Sequence, residues 1–114
     1  MLHKMILNKA PFDKINKGIK TIELRLYDEK RRKMSTGDII EFTCGDDRRE
    51  VMLCRIIKMH IFDSFEALYS NLPLLKCGYT KSDIDTASPK DMSEYYSNEK
   101  EELYGVVGIE IKLI

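Results

Sequence analysis

Three stretches of this chain alternate apolar and polar residues with a period of two, the repeat of a half-buried strand. From Thr21 to Leu26, residues Ile22, Leu24 and Leu26 alternate with Thr21, Glu23 and Arg25. From Asp38 to Cys44, residues Ile40, Phe42 and Cys44 alternate with Ile39, Glu41 and Thr43. After Gly105 the chain closes with Val107, Ile109, Ile111 and Leu113 expected inward and Glu110 and Lys112 outward. His3–Leu7 suits a short first strand. Glu50–Phe62 is long and β-like with apolar residues at both parities, which predicts a bend or bulge where it changes face. Gly45-Asp46-Asp47-Arg48 fits the hairpin turn before it.

Helix signals lie between the strands. Pro11 fits the first position of a helix, Phe12 and Ile15 share its face, and Gly18 fits just past its end. Asp28–Lys33 reads as a solvated turn or short helix. Ser64 fits an N-cap, with Phe65, Leu68 and Tyr69 on one side and Pro73 beyond the end. Ser88-Pro89-x-Asp91 predicts a further helix start whose apolar face is Met92, Tyr95 and Tyr96.

Strands at both ends, a central hairpin and helices between them give an α+β class. A mixed or antiparallel sheet that curls into a small barrel removes most exposed edges. The 114 residues accommodate one domain, 1–114, large enough for a core without a metal or disulfide. Lysine plus arginine and aspartate plus glutamate both total 19, so no global charge excess names a partner. The charge is unevenly placed: residues 1–33 hold ten basic and four acidic groups, and residues 83–102 hold seven acidic and two basic. That asymmetry permits an anionic ligand on the first third. Three cysteines without C-x-x-C spacing, no signal-like start and no membrane-length apolar run fit a reduced, cytoplasmic protein.

The most specific stretch is Gly18-Ile19-Lys20-Thr21-Ile22-Glu23-Leu24-Arg25. Its spacing G-x-K-x-x-E-x-R resembles the signature of the ASCH domain, a family of the PUA-like superfamily. Gly37-Asp38 entering Ile39-Ile40-Glu41-Phe42, then Phe65-Glu66-x-Leu68, and Tyr104-Gly105-Val106-Val107-Gly108-Ile109-Glu110-Ile111 extend the resemblance over essentially the whole chain. It implies a small PUA-like β-barrel flanked by helices, with a cleft between barrel and helices lined by Lys20, Glu23 and Arg25. It also implies a link to RNA or RNA-derived nucleosides.

The residue types agree with that implication. Arginine offers planar paired donors to phosphate or a guanine edge, and lysine a compact positive charge. A carboxylate accepts from an exocyclic amine or a ribose hydroxyl. With Ile22, Leu24 and Leu26 on the core, Thr21, Glu23 and Arg25 face outward together, and Lys20 reaches the same patch. The expected ligand-binding set is therefore Lys20, Thr21, Glu23 and Arg25, with Tyr96 from a later helix stacking over a base. The plain alternative is the solvated face of an amphipathic strand.

Two other functions stay open. The bacterial N4-acetylcytidine amidohydrolases resemble the same stretch: their lysine corresponds to Lys20, while their threonine nucleophile falls at Glu23. Thr21 matches a non-nucleophilic position, and Glu66 is a candidate for their glutamate. A glutamate cannot reproduce the hydroxyl chemistry. A hydrolase acting on a modified nucleoside or RNA would instead use Glu23 as general base and Lys20 or Arg25 to stabilise charge. The other function is a protein-interaction module using the acidic 83–102 segment.

Elsewhere the sequence offers little chemistry. His3 and His60 lack zinc-ligand spacing, so no metal is expected. No Walker loop, G-x-G-x-x-G or nucleophile elbow calls for a cofactor. Cys44 and Cys54 suit small core fillers, while Cys77 beside Gly78 is the expected reactive thiol. Lys30-Arg31-Arg32-Lys33 is expected to contact phosphate beside the cleft.

Overall fold

The computed structural model describes residues 1–114. Strands β1 (Leu2–Leu7), β2 (Ile22–Leu26), β3 (Ile39–Cys44), β4 (Val51–Phe62) and β5 (Val106–Leu113) form one sheet in the order β1-β3-β4-β5-β2. The first pair is parallel and the others antiparallel. Four α-helices accompany it: α1 (Lys9–Asn16), α2 (Glu29–Arg32), α3 (Phe65–Asn71) and α4 (Asn98–Tyr104). Short 3-10 turns fill 74–76, 84–86 and 89–94.

The curl originates in β4. Its first part pairs with β3 through Val51–Arg55, and its continuation pairs with β5 from Cys54 to Phe62. A register shift between Ile56 and Lys58, inside the ladder to β5, is the expected bulge. The result is a five-stranded half-barrel whose end strands, β1 and β2, are not paired. Side chains cross that seam instead: Arg25 Nη2 donates to the Ile6 carbonyl at 3.2 Å, and Lys30 Nζ donates to the Lys4 carbonyl. These contacts occupy acceptors that a bare sheet edge would leave open.

Two cores flank the sheet. Met5, Leu7, Ile40, Phe42, Cys44, Cys54, Ile56, Val107, Ile109 and Ile111 pack with Phe12 and Ile15 of α1 in the larger one. Ile22, Leu24, Leu26 and Val106 pack with Phe65 and Leu68 of α3 and with Cys77 in the smaller one. The apolar side of β2 therefore does face a core, but the smaller one. Its other side, expected to face outward, turns inward instead. Register places Glu23 opposite Ile109 and Arg25 opposite Val107, on the face of the larger core.

Several local expectations change. Pro11 occupies the third position of α1, still within the turn whose N–H groups lack helical acceptors. Ser88 and Asp91 form the capping box expected of a helix start, but the segment continues as a 3-10 turn. Tyr95 is exposed there rather than on an apolar face, and Leu113 is exposed at the end of β5. Helix α4 has no counterpart in the sequence reading; Ser97 caps it by accepting from the Lys100 N–H.

Candidate functional site

Lys20 owes its place to the end of α1. The Ile19 and Lys20 N–H groups both donate to the Lys14 carbonyl, and Gly18 takes φ +76°, the left-handed conformation that terminates a helix. The Lys20 stem then lies against Gly78, where a Cβ would stand 3.4 Å from Lys20 Cδ. Gly78 itself adopts φ +113°. Its carbonyl accepts from Lys14 Nζ at 2.8 Å, which fixes this loop to α1.

Three charged heads meet between β1 and β2. Lys20 Nζ is 2.6 Å from Glu23 Oε1, and Arg25 Nε is 2.8 Å from Glu23 Oε2. The Glu23 side chain is 6% exposed, so a lone carboxylate there would be costly, and each oxygen holds one cation. Burial pushes its carboxyl up; the Lys20 and Arg25 charges and their hydrogen bonds outweigh that and hold it below the ordinary value.

This trio is the floor of a cleft of about 620 Å³. Ile6, Asn8, Pro11 and Lys14 line one side, from the end of β1 and the start of α1. Tyr69 of α3 and the 77–96 stretch form the other, with Tyr79, Asp83, Asp91, Glu94, Tyr95 and Tyr96 among its residues. Tyr96 stacks on Phe65 with ring centroids 6.0 Å apart, and Tyr69 meets Tyr79 edge-on. A hydroxyl chain runs along this wall: Tyr69 and Tyr79 Oη are 2.7 Å apart, and Tyr79 Oη donates to Asp91 Oδ2 at 2.7 Å. Burial, with those hydrogen bonds, pushes the Tyr79 hydroxyl far above the ordinary phenol value. Burial also raises the Tyr96 hydroxyl.

Of the residues expected in the site, Lys20, Glu23, Arg25 and Tyr96 line the cleft. Thr21 does not; it sits just before β2, its N–H donating to the Lys76 carbonyl and its carbonyl accepting from Ile111. Glu66 is exposed on α3 and outside the cleft lining. The basic run is also spent elsewhere. Arg31 pairs with Asp28, Arg32 donates to the Tyr104 carbonyl and lies over the Tyr27 ring, and Lys30 and Lys33 line a separate hollow near Met1. Cys77 is buried, which pushes its thiol up to about 11 and removes the thiolate that reactivity requires. His3 pairs with Asp38 and His60 with Glu110.

Tyr69, Tyr79, Lys14, Asp83 and Asp91 also line the cleft, where no sequence expectation placed them. Tyr69 and Asp91 do carry sequence signals, but for helix packing and capping. Tyr79 has only its place after Cys77-Gly78.

The floor suits recognition better than base catalysis. A carboxylate held below its ordinary value, with both oxygens engaged by cations, is a weak proton acceptor. Arg25 retains Nη1 as a donor site, because its Nε and Nη2 make the Glu23 and Ile6 contacts.

The family model described as ASCH domain matches residues 5–114. The fold is similar to the crystal structure of hypothetical protein PH0355, with TM-score 0.83, 33% sequence identity and 100% of each chain covered. It is similar also to the solution NMR structure of protein PF0455 from Pyrococcus furiosus, with TM-score 0.76 and 31% identity over 100% of this chain and 98% of that one. No curated protein matches the chain. A family match from the first strand to the last residue, with two solved structures of the same extent, makes this chain a member of the ASCH domain family.

Proposed function

We propose that the protein binds a nucleobase in this cleft, presented by a free nucleoside or nucleotide or by an unpaired stretch of RNA. The observation that carries the reading is the convergence of Lys20, Glu23 and Arg25 on one concave floor under a tyrosine-bearing wall. Arg25 supplies donors to a carbonyl edge, and the aromatic wall supplies stacking surface. The RNA association implied by the ASCH resemblance points the same way.

Calorimetric titration with short single-stranded RNAs, nucleosides and nucleotides tests it, using wild type, Lys20→Ala and Arg25→Ala after circular dichroism has verified folding. Loss of one charge-assisted hydrogen bond is expected to weaken binding on the order of tenfold in Arg25→Ala. Lys20→Ala is expected to weaken it as well, by freeing Glu23 to compete for Arg25. Unchanged affinity in both variants overturns the assignment.

A further inference from the structure

The floor of the cleft and the 79–96 part of its wall differ in charge. On the floor, Glu23 already engages Lys20 and Arg25, which leaves one net positive charge among the three. Lys14, the remaining basic side chain in the lining, is tied to the Gly78 carbonyl. The wall carries Asp83, Asp91 and Glu94 and no basic residue. Asp91 receives Tyr79 Oη and the Ser88 N–H on the same oxygen, Oδ2, so Oδ1 remains an acceptor. Tyr69, Tyr79, Tyr95 and Tyr96 line the same wall, and the negative face of an aromatic ring attracts a cation. A phosphate group would meet three carboxylates there. A base with delocalised positive charge would meet rings and carboxylates together, while a carbonyl on its other edge would reach Arg25.

We infer that the cleft selects a positively charged, N-methylated nucleobase over its neutral isomer, an inference that rests on the nucleobase reading above. The ring stacks against the tyrosines, its charge faces Asp91, and its phosphates lie outside the carboxylate wall. The same base serves whether it comes as a free nucleoside or within RNA.

An isomer pair isolates the charge from the added methyl group. Titrations would compare 3-methylcytidine, whose ring keeps a carbonyl for Arg25, with 5-methylcytidine at neutral pH, where the first is cationic. The same bases in a single-stranded trinucleotide distinguish the two sources. The cationic isomer is expected to bind at least about tenfold more tightly, as a desolvated cation–π contact allows. Asp91→Asn keeps an acceptor for Tyr79 and should reduce that ratio several-fold, because binding of the cationic isomer falls more than binding of the neutral one. Equal binding of the isomers, with Arg25→Ala still weakening both, overturns this inference and leaves nucleobase binding standing. A preference that persists unchanged in Asp91→Asn also overturns the assigned wall. Absence of binding by every nucleoside and RNA overturns both.

Discussion

Arg25 holds the Ile6 carbonyl at 3.2 Å from a strand with which β1 makes no ladder. The same guanidinium grips Glu23 through Nε at 2.8 Å, so one side chain both closes the half-barrel seam and builds the cleft floor. Site and fold are thus coupled at a single residue.

That coupling makes Arg25→Lys a non-conservative change. A single ammonium cannot reproduce two directed contacts from a planar fork. The expected loss is about 1–2 kcal/mol in urea unfolding, from one weakened charge-assisted hydrogen bond. Amide exchange should also quicken in β1 relative to β3; unaltered stability and exchange would show that the Ile6 contact contributes nothing.

Glu23 contributes to acid sensitivity. Its folded carboxyl lies below the ordinary value of 4.5, so its stabilisation is complete above that pH and drains away as pH falls through the folded value. Glu23→Gln leaves Lys20 and Arg25 without their counter-charge and should cost about 3 kcal/mol at neutral pH. It should also flatten stability between neutral pH and the acid limb. Asp38, held at about 2 by the His3 and Ser35 hydrogen bonds, loses its contribution as pH falls from 3.8 towards that value. Denaturant titrations of Glu23→Gln and Asp38→Asn across this range separate the two; a Glu23→Gln curve parallel to wild type would contradict the carboxylate's assigned state.

Gly105 allows the helix-to-strand transition from α4 into β5. It has φ +72° and ψ −171°, and an added Cβ would stand 3.0 Å from the Phe62 carbonyl oxygen. Gly105→Ala is expected to destabilise by about 1–3 kcal/mol through backbone strain and that close contact. Thermal melting measures it; a melting temperature equal to wild type would refute it.

Native protein should resist thiol reagents. Cys44, Cys54 and Cys77 are all buried, and burial raises the Cys54 and Cys77 thiols to about 11. Ellman's reagent should titrate fewer than one thiol rapidly in buffer and three in denaturant. Rapid modification of Cys77 in the folded protein would contradict its burial beside the floor.

The strands were the most legible part of the sequence, because period two survives whatever covers the sheet. Periodicity shows that the sides of a strand differ, but it does not say what lies against each. On β2, Glu23 and Arg25 have the spacing of a solvated face, yet register with Ile109 and Val107 turns them towards the larger core. The G-x-K-x-x-E-x-R spacing identified the trio, while Thr21 shared its parity without sharing the cleft. Tyr69, Tyr79 and Asp91 meet through bends in irregular chain, for which no repeat exists to read. The helix-start signal at Ser88-Pro89-x-Asp91 was likewise visible, but a cap starts a turn without determining its pitch.

The stretch around residues 74–96 is tied to the rest by Lys14 to Gly78, Thr21 to Lys76, Tyr69 to Tyr79, Tyr96 against Phe65 and the burial of Cys77 in the smaller core. It contributes no strand to the sheet. Substitutions confined to its cleft-facing side chains therefore alter the lining without breaking a ladder of the sheet.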